Sequence, residues 1–169
     1  MGVDEHRSRG GNLRARCAII TVSDSRTLET DKSGQWIVDR LGEAEHLVVE
    51  RTVVPDEAER LRNVLGHWLE QDVDAVLLNG GTGIAARDGT VEVVREFLDR
   101  ELPGFGELFR FLSYEQIGAA AMLSRALGGI ARGKLLFALP GSSGAVRLAM
   151  EKLIVPELKH LLFELQKDG

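Results

Sequence analysis

The sequence has a single cysteine, Cys17, among 169 residues, so no internal disulfide is available. Cys17 lies inside the run CAIITV, where it reads as a small buried hydrophobe in a reducing setting rather than as a nucleophile. The four histidines, His6, His46, His67 and His160, are scattered without ligand spacing, which argues against zinc. No apolar run approaches the roughly 20 residues that span a bilayer. Residues 1–16, MGVDEHRSRGGNLRAR, contain no apolar segment of a secretory leader, and His6 stands where a myristoylation signal needs Ser or Thr. A flexible N-terminal tail over residues 1–14 and a cytoplasmic location are the expectations, with no membrane partner. The chain also lacks an excess of positive charge. Its net charge of −5 argues against a broad electrostatic grip on nucleic acid, though a local basic pocket remains open to it. There is no G-x-S-x-G elbow, no GK[ST] ending of a Walker loop and no G-x-G-x-x-G fingerprint. No repeat or low-complexity linker divides the chain, so one domain is expected over residues 15–169.

What is present is an ordinary globular composition, 44% hydrophobic and 28% charged, long enough to bury a core without staples. The chain is organised around VDAVLLNGGTGIAARDGTVEVV, Val73 to Val94. An apolar run, Ala75 to Leu78, is broken by Gly80, Gly81 and Gly83 around Thr82, and apolar periodicity resumes after Arg87 and Asp88. This reads as strand, glycine loop, helix. Residues without Cβ let backbone amides approach a bound anion, and the next helix turns its partly positive end into the same space. A tight turn is the plainer alternative at this point.

The remaining pattern repeats the alternation. Arg16 to Val22 is a β-branched run fit for the middle of a parallel sheet, and it ends in the polar loop Ser23 to Thr27. A helix is expected from about Ser33 through Leu41, closed by Gly42. Leu47 to Val54 reads as a strand near the sheet edge, interrupted by Glu50 and Arg51. Asp56 reads first as an N-cap, with Glu59 completing a capping box, ahead of the helical spacing of Leu61, Val64, Leu65, Trp68 and Leu69. A helix from Thr90 to Leu98 follows. Either Asp88 or Thr90 fits its cap, and Thr90 in that role leaves Asp88 free. Leu102 to Ile130 reads as largely helical, with an Ala-rich stretch suited to close packing within or between subunits and with Gly128 and Gly129 ending it. The last strand, Lys134 to Leu139, runs into Pro140-Gly141-Ser142-Ser143-Gly144 and a helix from Ala145, with Ser142 or Ser143 as cap. Pro156 opens a final helix whose leucines cover the sheet.

Strands alternating with helices predict an open α/β sheet. In such sheets the loops leaving the carboxyl ends of parallel strands share one edge, and ligands bind where the strand order reverses. Four polar loops meet that condition: Ser23 to Thr27, Pro55 to Glu57, Asn79 to Thr90, and Pro140 to Gly144. Their amides suit phosphates, and Asp56 with Asp88 suit a hard divalent cation, since Mg²⁺ takes one or two carboxylates plus phosphate oxygens.

Six segments in order, TVSDSRT (21–27), DKSG (31–34), VVPDE (53–57), NGGTGIAARD (79–88), SYEQIGAAAMLSRA (113–126) and FALPGSSGAVRLAME (137–151), resemble the MoaB/MogA molybdenum cofactor biosynthesis proteins, and most closely the MoaB branch. The resemblance implies a three-layer α/β/α molybdopterin-binding fold with a mostly parallel central sheet, assembled as a homotrimer or hexamer. It implies adenylylation of molybdopterin by Mg·ATP, giving AMP-molybdopterin and pyrophosphate. Asp56 and Asp88 would be the catalytic and Mg²⁺-binding pair. Gly80, Gly81, Thr82 and Gly83, with Ser23 and Asp24, would line the pterin and phosphate site, and Gly141 and Ser142 would contribute from the last loop. Two loops depart from the family pattern. The segment 85–93 lacks both prolines of a pattern reading roughly APRDVTPEA, and PGSPG has become PGSSG, which leaves both loops less preorganised. The alternative is therefore a non-catalytic molybdopterin-binding or carrier module of the same fold.

Overall fold

The structure, a computed structural model, describes residues 11–167, and the expected tail up to residue 10 lies outside them. Of residues 11–14, Gly11 accepts a hydrogen bond from Lys159 Nζ at 3.1 Å and Leu13 packs against the core. The elements are β1 (Arg16–Val22), α1 (Lys32–Glu43), β2 (Leu47–Val54), α2 (Ala58–Glu70), β3 (Ala75–Asn79), α3 (Thr90–Phe97), β4 (Arg100–Glu101), α4 (Pro103–Ile117), a 3-10 segment (Gly118–Leu123), β5 (Leu127–Ala131), β6 (Lys134–Leu139), α5 (Ser143–Ala149), a π-helical turn (Met150–Ile154) and α6 (Val155–Gln166). Together they form the expected three-layer α/β/α domain.

Six strands make one sheet in the order β2-β1-β3-β6-β5-β4. The first four are mutually parallel, while β5 runs antiparallel to β6 and β4 antiparallel to β5. Alternation along the strands splits the core in two, because successive side chains of a strand point to opposite faces. Cys17, Ile19, Leu77, Leu135 and Phe137 face a layer made from Ile37 and Leu41 of α1, Phe105 and Phe109 of α4, and Leu158 and Leu162 of α6. Ala18, Ile20, Val76, Leu78 and Leu136 face Leu61, Leu65 and Trp68 of α2 and Val91 and Val94 of α3. Strand β2 lies at the sheet edge, as its charged interruption predicts, with Leu47 and Val49 exposed.

Three expectations need correction. The region 102–130 is not helical to its end: β5 begins at Leu127, and the two glycines read as breakers are strand residues. A Cβ on Gly128 would stand 2.5 Å from the Phe137 ring, and one on Gly129 2.4 Å from the Arg100 carbonyl oxygen, so close packing against neighbouring strands requires both glycines. Gly42 does not close α1. It lies inside the helix, and Glu45, at φ 64°, takes the left-handed turn after it. The C-terminal helix does not open at Pro156, because α5, the π turn and α6 run on without a break and Pro156 falls inside that run, two residues after the π turn. Among the described residues, no helix is long and apolar enough to cross a membrane.

Candidate functional site

The chain leaves β1 for β2 on one side and returns with β3 on the other, so the strand order reverses between β1 and β3. The carboxyl ends of β1, β2, β3 and β6 lie on one edge, and the four polar loops leave from them.

Backbone contact fixes how closely these loops meet. Gly80 (φ 99°) donates its N–H to the Leu139 carbonyl at 3.0 Å, and a Cβ there would lie 2.2 Å from the Val22 carbonyl oxygen. Gly81 (φ 64°) accepts from the Thr90 amide at 3.0 Å, and its absent Cβ leaves the room that Thr90 Oγ1 fills. Gly141 approaches so closely that a Cβ on it would stand 3.1 Å from Gly80 Cα. The two glycine loops therefore touch through their backbones. Only residues without side chains allow that approach.

Asp24 ties three of the loops together. Its Oδ1 accepts from the Asp56 amide at 2.9 Å and its Oδ2 pairs with Arg87 at 2.7 Å. Asp56 is not the cap of α2. That position falls to Glu57, which makes no side-chain cap bond, so the expected capping box does not form. The Asp56 carboxylate turns instead toward the glycine loop, where a Cβ on Gly81 would stand 3.0 Å from Oδ2. Burial raises its pKa, and the Asp88 and Asp24 charges add to the rise. A hydrogen bond from the Gly89 backbone and the charge of Arg87 oppose it. Neither Asp88 nor Thr90 caps α3, whose N-cap is Gly89 without a side-chain bond. Asp88 Oδ2 accepts from the Ala85 amide at 2.9 Å and closes its own loop, while Thr90 Oγ1 is buried without a hydrogen-bond partner among the described residues.

The hydroxyls have local duties. Ser23 Oγ accepts from the Arg26 amide at 3.2 Å, which shapes the first loop, and Ser142 Oγ accepts from the Ala145 amide at 3.3 Å, which makes Ser142 the N-cap of α5. Thr82 is almost fully buried between these loops. Ser23 and Asp24, with Arg26 and Arg51, line a cavity of about 430 Å³ beside β2.

Asp56 and Asp88 are the carboxylates that could hold a cation. Among the described residues no group of three or more His, Cys, Asp or Glu side chains gathers into a ligand cage. Two carboxylates whose charges work against each other fit a Mg²⁺ that takes its other ligands from phosphate and water.

Sequence reasoning missed two features. Asp31, wholly buried, accepts from Thr21 Oγ1 at 2.7 Å, from the Gly34 amide at 2.9 Å and from Arg51 at 3.1 Å, while Asn79 Nδ2 donates to Thr21 Oγ1 at 2.9 Å. This network locks the ends of β1 and β3 to the start of α1. The Asp three residues before Gly34 at a helix start was a readable cap signal. Arg51, read only as a strand interruption, supplies the countercharge. The second feature is Arg125, which reaches the glycine loop from 37 residues beyond Asp88. It lies in the segment 113–126 that carries the family resemblance, but nothing in that segment marks a contact with the glycine loop.

The fold and cleft place the chain in the class of open α/β domains whose binding edge is built from loops at the carboxyl ends of parallel strands. A family model described as "Probable molybdopterin binding domain" matches residues 18–160, a span that includes all four loops. The molybdenum cofactor biosynthesis protein B of Bacillus cereus is 54% identical over 170 residues, covering 99% of this chain and 100% of the relative, and that of Bacillus subtilis is 52% identical with 99% of each covered. A crystal structure of a molybdenum cofactor biosynthesis protein B aligns at TM-score 0.88 and 55% identity over 92% of this chain and 98% of that one. The tungsten cofactor synthesizing protein MoaB from Pyrococcus furiosus aligns at TM-score 0.83 and 37% identity over 90% and 98%. The chain belongs to the MoaB/MogA family of molybdenum cofactor biosynthesis proteins.

Proposed function

We propose that the protein adenylylates molybdopterin. An oxygen of the terminal phosphate of molybdopterin attacks the α-phosphorus of ATP, the bond to the β-phosphate oxygen breaks, and pyrophosphate leaves with that electron pair. The observation that carries this reading is the meeting of Asp56 and Asp88 beside a glycine loop that opens α3. The attacking phosphate is already ionised at neutral pH, so no strong general base is needed, and positioning and charge neutralisation carry the reaction. When bound, Mg²⁺ supplies charge neutralisation on the triphosphate. Asp56 and Asp88 would hold it, the Gly80–Gly83 backbone would give the phosphates room, with the Gly80 amide kept on Leu139, and the Gly141 loop would close the far side of the cleft.

The test is AMP transfer. The purified chain is given molybdopterin and Mg·ATP, and pyrophosphate and AMP-molybdopterin are followed beside an Asp56→Asn, Asp88→Asn variant. Product lost in the variant supports the reading. Tight molybdopterin binding with no product overturns it in favour of a carrier module.

The functional unit in this reading is a homotrimer or hexamer. Phe111 (64% exposed), Tyr114, Ile117 and Met122 (76% exposed) present large side chains to solvent along α4 and the 3-10 segment, the kind of surface that a second copy of the chain would cover. Phe111→Glu with Ile117→Glu is expected to yield single chains by sedimentation, and a native protein that sediments as one chain refutes the assembly.

A further inference from the structure

Arg125 lies between the 3-10 segment and β5, and its guanidinium is spent on the glycine loop. Nε donates to the carbonyls of Thr82 (3.2 Å) and Gly83 (2.9 Å), and Nη2 donates to the Asp88 carbonyl (2.8 Å). Nη1 and Nη2 both grip Glu92 in the first turn of α3, which fixes the fork in place and draws the Glu92 pKa down. One side chain thus holds both ends of the segment 82–88.

The consequence follows from peptide geometry. In a trans peptide the N–H points opposite to the C=O. Turning the carbonyls of Thr82, Gly83 and Asp88 toward Arg125 turns the amides of Gly83, Ile84 and Gly89 away from it. The Gly89 amide meets the Asp56 carboxylate. The Gly83 and Ile84 amides have no acceptor among the described residues. They are donors fixed in direction, without a partner among the described residues, in the loop that carries Asp88.

We propose that Arg125 is a positioning residue of the cleft: it holds the glycine loop so that the Gly83 and Ile84 amides face a phosphate of the bound nucleoside triphosphate and the Gly89 amide stays on Asp56. The phosphate part rests on the adenylyltransferase reading. The role demands arginine, because a planar fork with five donors can serve three carbonyls and a carboxylate at once, whereas a single ammonium has three donors on one atom.

The experiment compares the full-length native protein with Arg125→Ala and Arg125→Lys in two measurements. The first is hydrogen exchange at the Ala85, Asp88 and Thr90 amides, each bonded within the loop or to Gly81, with the β1 and β3 amides as internal reference. Both variants are expected to exchange faster in the loop with the strands unchanged. The second is steady-state AMP transfer. The KM for Mg·ATP should rise by roughly tenfold or more while kcat falls less, since a small misplacement of binding groups is enough for that loss. Millimolar guanidinium should restore Arg125→Ala and leave Arg125→Lys unrestored. Loop exchange at the native rate in Arg125→Ala overturns the proposal, as does a loosened loop with unchanged KM. A native chain that neither binds nor uses Mg·ATP overturns the adenylyltransferase reading instead, and loop exchange alone then decides whether Arg125 holds the loop.

Discussion

Replacing Gly80 with alanine tests how the cleft is built. Gly80 has φ 99°, and an added Cβ would lie 2.2 Å from the carbonyl oxygen of Val22 and 3.2 Å from its carbon. Neither side can yield easily. Val22 ends β1, which is paired on both sides with β2 and β3, and Gly80 is held by its bond to Leu139. A side chain forced into positive φ costs about 1–3 kcal/mol, and overpacking against fixed atoms costs about 1–3 kcal/mol more. Gly80→Ala is thus expected to lose roughly 2–6 kcal/mol, a large share of the ~5–15 kcal/mol that holds a typical domain together. That corresponds to a fall in Tm on the order of 5–20 °C. Urea unfolding followed by circular dichroism reads it as a lower midpoint with an unchanged slope, at one protein concentration because assembly would make the midpoint concentration-dependent. Gly144→Ala is the control, since a Cβ there meets nothing within 4 Å. A Gly80→Ala protein within about 1 kcal/mol of the native one would refute the claim that the loops meet through rigid backbone.

Gly42→Ala should act in the opposite direction. Gly42 is helical and its Cβ would enter open space, so the variant is expected to gain roughly 0.4–1 kcal/mol in the same urea assay, and a loss would put Gly42 back at the helix end. Folding raises the Asp56 pKa above its ordinary 3.8, so the folded protein holds that proton more tightly than the unfolded chain does. Its stabilisation is present at low pH and is lost as pH rises from 3.8 through the raised value. Asp56→Asn should consequently flatten the pH profile of the urea midpoint and be at least as stable as the native chain at neutral pH without divalent cation. An unchanged profile would contradict the burial of the Asp56 carboxyl in the cleft beside Asp88 and Asp24. Burial pushes the Cys17 thiol up to about 12, so a thiol reagent at pH 8 should label the protein only after denaturation, and rapid labelling of the native state would contradict the core described for β1.

The sequence by itself determined the parts that local pattern controls. Continuous apolar runs at Arg16–Val22, Ala75–Asn79 and Lys134–Leu139 are buried on both faces of the sheet, so they could be read as parallel strands without a partner in view. The polar run Ser23 to Thr27 after the first strand and the glycines after the other two mark loops of the cleft, and the helices between carry their own periodicity. The assignments that failed depended on what lies across space. Gly128 and Gly129 look like punctuation until Phe137 and Arg100 are packed against them, and then they are the residues that let β5 join the sheet. Asp56 has the chemistry of a helix cap, and only the approach of Asp24 and the Gly89 amide shows why its carboxylate faces the cleft instead. Arg125 belongs to the segment 113–126 that carries the family resemblance, but its local sequence does not say what it binds: three of its partners are backbone carbonyls, which every sequence has, and only the fold brings those carbonyls and the Glu92 carboxylate within its reach. Hydrophobic periodicity and glycine act through near neighbours in the chain. The pairing of charges and the direction of amides are decided when the sheet brings distant loops to one edge.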